Sequence, residues 1–101
     1  MKKIINGKLY NTETATYIGN DSFENPSNFH YYDEDLYQKK NGEFFLAGEG
    51  GPLSKYGVAT GIHGWCSGHA ITPLSTEEAK QWVEEHCGTN TYIELFGVPE
   101  E

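Results

Sequence analysis

Leu36-Tyr37-Gln38-Lys39-Lys40-Asn41-Gly42-Glu43-Phe44-Phe45-Leu46 sets two apolar, aromatic-rich runs on either side of Lys39-Lys40-Asn41-Gly42. Asn-Gly accepts the positive φ that a tight turn demands, so Tyr31 to Gly48 reads as a β-hairpin whose aromatic face belongs to the core. Upstream, Lys2 to Ile5 and Lys8 to Tyr10 flank a second such dipeptide, Asn6-Gly7, and read as a smaller hairpin. Thr12 to Ile18 carries β-branched residues and adds a further strand. Asp21 to Asn28, with Asn25-Pro26-Ser27-Asn28, has turn chemistry and no periodicity, and reads as a loop.

Downstream of the hairpin, Gly48, Gly50, Gly51 and Pro52 are read as ending the strand and opening a flexible stretch through Gly57, Gly61, Gly64 and Gly68. A helix follows with clear punctuation. Ser75 can cap it, Glu78 three residues on completes a capping box, and Gly88 follows its last turn. Ala79, Trp82, Val83, His86 and Cys87 fall at i, i+3, i+4, i+7 and i+8 and make the inward stripe, leaving Glu77, Gln81, Glu84 and Glu85 in water. Tyr92 to Phe96 is a short helix or a last strand, with helix preferred. The expected fold is therefore α+β: a small antiparallel sheet packed with one main amphipathic helix.

At 101 residues with 37% hydrophobic, the chain has material for one core, and residues 1–101 read as a single domain. Seven basic residues, all lysine, face 15 acidic ones for a net charge of −8. Direct nucleic-acid binding is excluded on that balance, because holding phosphates takes a cationic footprint; a partner with a basic surface is favoured instead. The charge is densest near the end. Glu77, Glu78, Glu84, Glu85, Glu94, Glu100 and Glu101 stand against Lys80 alone, with Glu77, Glu84 and Glu85 the candidate partner-binding side chains. The apolar run at Ile4-Ile5 is too short for a signal peptide or a membrane span, so the expected location is the cytoplasm in which the chain is made, where Cys66 and Cys87 would not form a disulfide.

His63-x2-Cys66-x2-His69 puts three nitrogen and sulfur donors within seven residues of a glycine-rich loop, a pattern suited to Zn²⁺. Cys87 or His86, from the helix end, supplies the fourth position. Four protein ligands describe a closed structural zinc that staples the loop to the helix; only an open position would allow an activated water, and a metallo-hydrolase is the lesser alternative. No catalytic residue is assigned. Asp33-Glu34-Asp35 reads as a solvated strand end or a partner-facing acidic patch, since consecutive strand residues face opposite ways and do not converge. Trp65 either covers the metal loop or stands out as an interface anchor.

Lys8-Leu9-Tyr10-Asn11-Thr12-Glu13-Thr14-Ala15, the Leu36 to Leu46 hairpin, Gly48-Glu49-Gly50-Gly51-Pro52-Leu53-Ser54-Lys55-Tyr56 and Pro73-Leu74-Ser75 through His86 resemble a family of small acidic proteins encoded by phages and integrated elements of Gram-positive bacteria. Some small acidic proteins of this origin are anti-CRISPR inhibitors of Cas9. The resemblance thus implies a monomeric, non-enzymatic phage protein that binds Cas9 and blocks loading of target DNA. The alternative is a zinc-stabilised interaction module for another host or phage protein. Two departures from the family pattern bear on the metal. Ile62-His63-Gly64-Trp65-Cys66-Ser67-Gly68-His69 is inserted where relatives run quickly to Pro-Leu-Ser, and Cys87 replaces an aliphatic residue. Their joint appearance favours His63, Cys66, His69 and Cys87 over a set containing His86.

Overall fold

The computed structural model describes residues 1–62 and 64–101. Its strands are β1 (Lys2–Ile5), β2 (Lys8–Asn11), β3 (Thr16–Phe23), β4 (Tyr32–Gln38), β5 (Phe44–Gly50), β6 (Val58–Ala59), β7 (Trp65–Cys66) and β8 (Gly68–Leu74), followed by helices α1 (Thr76–His86) and α2 (Thr89–Phe96). An antiparallel sheet in the order β3-β4-β5-β8 forms the frame, β1-β2 is a separate hairpin, and β6-β7 is a short ribbon. The α+β expectation holds. Among the described residues no helix is long and apolar enough to cross a membrane.

Both Asn-Gly turns form as read. Asn6 and Gly7 take φ of 52° and 77°, the left-handed pair of a type I′ turn. Gly42, at φ 96°, closes the β4-β5 turn, in which Gly42 N–H donates to the Lys39 carbonyl at 2.9 Å. Glu43 beside that turn accepts from Lys8 at 2.6 Å and from Lys39 at 3.2 Å, which ties the N-terminal hairpin to the frame. These bonds, with one from Asn41, hold the Glu43 carboxyl down at about 2.

Phe44-Phe45-Leu46-Ala47 is an uninterrupted apolar run because β5 is covered on both faces. Phe44 and Leu46 point to the helix side, where they pack with Leu36, Ala79, Trp82 and Val83. Phe45 and Ala47 point the other way, against Tyr10 of the hairpin and Ile71 of β8. The Phe45 ring meets Tyr10 edge-on at 5.4 Å and stacks on Tyr37 at 5.5 Å. α1 begins as expected: Ser75 Oγ accepts from the Glu78 N–H at 3.1 Å and Glu78 Oε1 accepts from the Ser75 N–H at 2.9 Å, a box worth about 1 kcal/mol. Gly88 serves as the N-cap of α2, which is the helix preferred for Tyr92 to Phe96.

Three local expectations are corrected. The third strand starts at Thr16 and runs on to Phe23, absorbing the first residues of the presumed loop, with a bulge between Tyr17 and Gly19. Gly48 and Gly50 do not end β5; they lie within it. The glycine-rich stretch contains the β6-β7 ribbon and opens β8, whose Gly68 and Pro73 mask a strand pattern that an edge position tolerates.

Candidate functional site

Alternation along β4 sorts the three consecutive carboxylates. Asp33 and Asp35 share one face and both accept from Asn20 Nδ2, at 2.5 and 2.9 Å. Glu34 points to the helix side and is only 2% exposed, which corrects its reading as part of a solvated strand end. Its oxygens are occupied. Tyr56 Oη donates to Oε2 at 2.5 Å, Lys55 Nζ lies 2.7 Å from the same oxygen, and Trp82 Nε1 donates to Oε1 at 3.3 Å. Burial pushes the Glu34 carboxyl up, but bonds from Lys55, Tyr56 and Trp82 outweigh it and the group sits below its ordinary value. Burial and the Glu34 charge together drive the Tyr56 phenol strongly upward, so it stays a protonated donor.

Beside this network, Tyr32 Oη donates to Asp21 Oδ2 at 3.0 Å, and His86 Nε2 lies 3.6 Å from the same oxygen. The His86 ring also packs on Trp82 at 4.8 Å. These groups clasp sheet, helix and the segment around Lys55 together, and each polar atom of Glu34 is spent in doing so. A carboxylate this fully bonded acts as architecture.

The expected metal ligands are placed apart. Cys66 sits exposed on β7 and His69 exposed on β8, opposite Glu49 and on the same face as Ile71. Cys87 lies on the other face, where it packs with the helix-side core, and its sulfur would be 2.7 Å from a Cβ added at Gly19 of β3. Since β3 and β8 are opposite edges, three strand spacings or about 14 Å separate their backbones, against a Zn–S bond of about 2.3 Å. The structure does not bring Cys87 to Cys66 and His69, and the four-ligand closed set does not fit this arrangement. His63 lies outside the described residues. Burial raises the Cys87 thiol, and the side chain lines a cleft of about 220 Å³ with Val83, Tyr92, Ile93 and Pro99.

Glu77, Glu84 and Glu85 are exposed on α1, as the stripe required. Lys80 lies 3.8 Å from Glu77, and Gln81 donates to Glu85 at 3.2 Å. Trp65 is 58% exposed on the ribbon. The convergence of Lys55, Tyr56 and Trp82 on Glu34 escaped the sequence reading. Its signal was Glu34 standing two residues before Leu36, on the core-facing side of a strand. Comparison with family models, curated proteins and solved structures finds no match to the chain.

Proposed function

We propose that the chain is a non-enzymatic inhibitor that binds the basic nucleic-acid channel of a bacterial defence nuclease, Cas9 in the first instance, and keeps target DNA from loading. The observation that carries this reading is the display of unneutralised acid on a rigid frame. Fifteen acidic side chains against seven lysines leave a net charge of −8 after the pairs at Glu34, Glu43 and Glu77, and Glu84 and Glu85 are held outward beside Glu77 by a helix whose other side is locked into the core. A channel that holds its heteroduplex by positive charge offers such a surface both attraction and a reason to compete. The resemblance to small acidic phage proteins points the same way.

Competition between the chain and target DNA for guide-loaded Cas9 tests it. Wild type is expected to block DNA binding, and Glu84→Lys with Glu85→Lys to weaken the block by roughly 3- to 10-fold at low salt and less at high salt, since long-range attraction is screened. Undiminished inhibition by the double reversal at both salts removes the α1 face from the mechanism.

Zinc belongs to this proposal in reduced form, held by Cys66 of β7 and His69 of β8 without Cys87, two protein donors that leave the remaining tetrahedral positions to other ligands. Elemental analysis after chelator-free purification is expected to find about one zinc per chain, lost in Cys66→Ser and retained in Cys87→Ser. Retention in Cys66→Ser, or loss in Cys87→Ser, overturns the assignment.

A further inference from the structure

We propose that the end of the frame from which the β6-β7 ribbon leaves is the surface that docks on the protein partner, and that the partner presents there an apolar cleft edged by Lys and Arg. This rests on the inhibitor reading and adds the surface and the chemistry it meets. Phe23, Tyr32, Gly50 and Gly68 pair across the four strands as the last row of the sheet. Phe23 lies in that row, Phe29, Leu53 and Val58 lie beside it, and Trp65 and Ile62 follow outward along the ribbon, each of the six between 47% and 94% exposed. Their placement is tied to the row. The Leu53 N–H donates to the Phe29 carbonyl at 2.9 Å, and a Cβ added at Gly68 would lie 2.7 Å from Val58 Cγ2, so the ribbon's root rests on the sheet end. Ala59 pairs with Trp65 farther out.

Six large apolar side chains left in water at this end and along the ribbon that leaves it offer a surface of the kind that partners cover. The sequence spares that patch charge: from Tyr56 to Thr76 there is no Asp, Glu, Lys or Arg. Charge depletion at the centre with aromatic side chains, and polar groups around it, is the anatomy of a protein interface. The rim is acidic. Glu24 follows Phe23, and Asp33 and Glu49 sit directly opposite each other one row inward, where Asn20 donates to Asp33, Tyr31 donates to Glu49 and Met1 lines the hollow beside them. Lys55 is spent on Glu34, and Lys2 and Lys3 line a hollow with His69, the residue paired with Glu49, so Glu24 and the net charge of −8 are what favour a basic-edged partner. A second copy of the chain would bring the same carboxylates and another net charge of −8 to this end, which favours a basic-edged partner over self-association.

The division of labour follows. Acid on α1 speeds encounter and is sensitive to salt, whereas the apolar end sets how long the complex lasts. The test measures binding kinetics of wild type and of Ile62→Ser with Trp65→Ser to guide-loaded Cas9 at low and high salt, with melting temperature and sedimentation equilibrium on each. The double variant is expected to bind on the order of 30-fold more weakly, through faster dissociation, at both salts, with an unchanged melting temperature because both side chains already lie in water. Binding within about threefold of wild type overturns this surface and leaves the inhibitor reading standing. A wild type that does not bind overturns both. A wild type that dimerises while the variant does not makes a second copy the occupant and overturns the basic-edged partner.

Discussion

Gly48→Ala is expected to destabilise the protein by about 2 to 6 kcal/mol, an overpacking cost of about 1–3 kcal/mol together with about 1–3 kcal/mol for a buried hydrogen bond lost. Gly48 sits in the middle of the frame on β5, directly under the Tyr56 ring. A methyl there would overlap Tyr56 Oη and Cζ and lie 2.8 Å from Cε1. The backbone of β5 is paired on both sides, to β4 and to β8, so it cannot retreat; Tyr56 must leave instead. Its departure removes the 2.5 Å hydrogen bond to Glu34. For a domain of this size the melting temperature should fall by roughly 4–8 °C for each kcal/mol. The double-mutant cycle identifies the cause. In a Tyr56→Ala background the added Gly48→Ala should cost under about 1 kcal/mol, because the group it strikes is gone. Equal cost in both backgrounds would show that the methyl hits something other than Tyr56.

That contact also explains why the centre of the chain was hard to read. Clustered glycines ordinarily mark the end of an element, and Gly48 to Gly51 reads as the end of a strand on that ground, yet two of these glycines lie in β5 where other groups approach too closely for a side chain. Tyr56 lies on Gly48, and Ser54 with the Tyr31 carbonyl lies on Gly50. Nothing local distinguishes the two causes of a glycine. The hairpins were legible for the opposite reason, since Asn6-Gly7 and Asn41-Gly42 act through their own backbone angles and need no distant partner. The capping box at Ser75 and Glu78 was legible on the same ground. β8 was not, because Gly68 and Pro73 break its pattern and only its place at the sheet edge makes them acceptable.

The candidate site divides along the same line. Helical spacing put Glu77, Glu84 and Glu85 in water and Ala79, Trp82 and Val83 in the core, while Cys87 of the same stripe is half-buried and His86 is exposed at its edge. Proximity in sequence was a weaker guide to the metal set: Cys87 enters the helix-side core against Gly19, on the face opposite His69. Donor count says nothing about which face of a sheet each donor reaches. Strand alternation does, once the register of β4 against β5 and β8 is known. The same register turns Glu34 from a member of an acidic triplet into the buried member of the core.

Glu34→Ala is expected to cost about 2–6 kcal/mol at pH 7, about 1–3 kcal/mol for each of the two interior donors, Tyr56 and Trp82, that it leaves without an acceptor. Three donors lose their acceptor at once: Tyr56 Oη and Trp82 Nε1 in the interior, and the Lys55 ammonium above them. Glu34→Gln keeps the volume and one carbonyl acceptor and is expected to cost less, about 1–3 kcal/mol. The two sequences should then converge in acid. The Glu34 carboxyl lies below its ordinary value in the folded protein, despite burial, because Lys55, Tyr56 and Trp82 favour its charged form. The unfolded chain therefore binds this proton more readily than the folded one. The stabilisation is complete above the unfolded carboxylate value of about 4.3 and is lost as pH falls through the lower folded value. Denaturant melts of wild type and Glu34→Gln from pH 7 to pH 2.5 isolate this group, since the other titrating carboxylates are common to both proteins. Their stability difference should be constant down to about pH 5 and shrink below it. A difference that stays constant to pH 2.5 would mean that the fold does not favour the charged form of Glu34, and one that widens in acid would mean that it favours the protonated form.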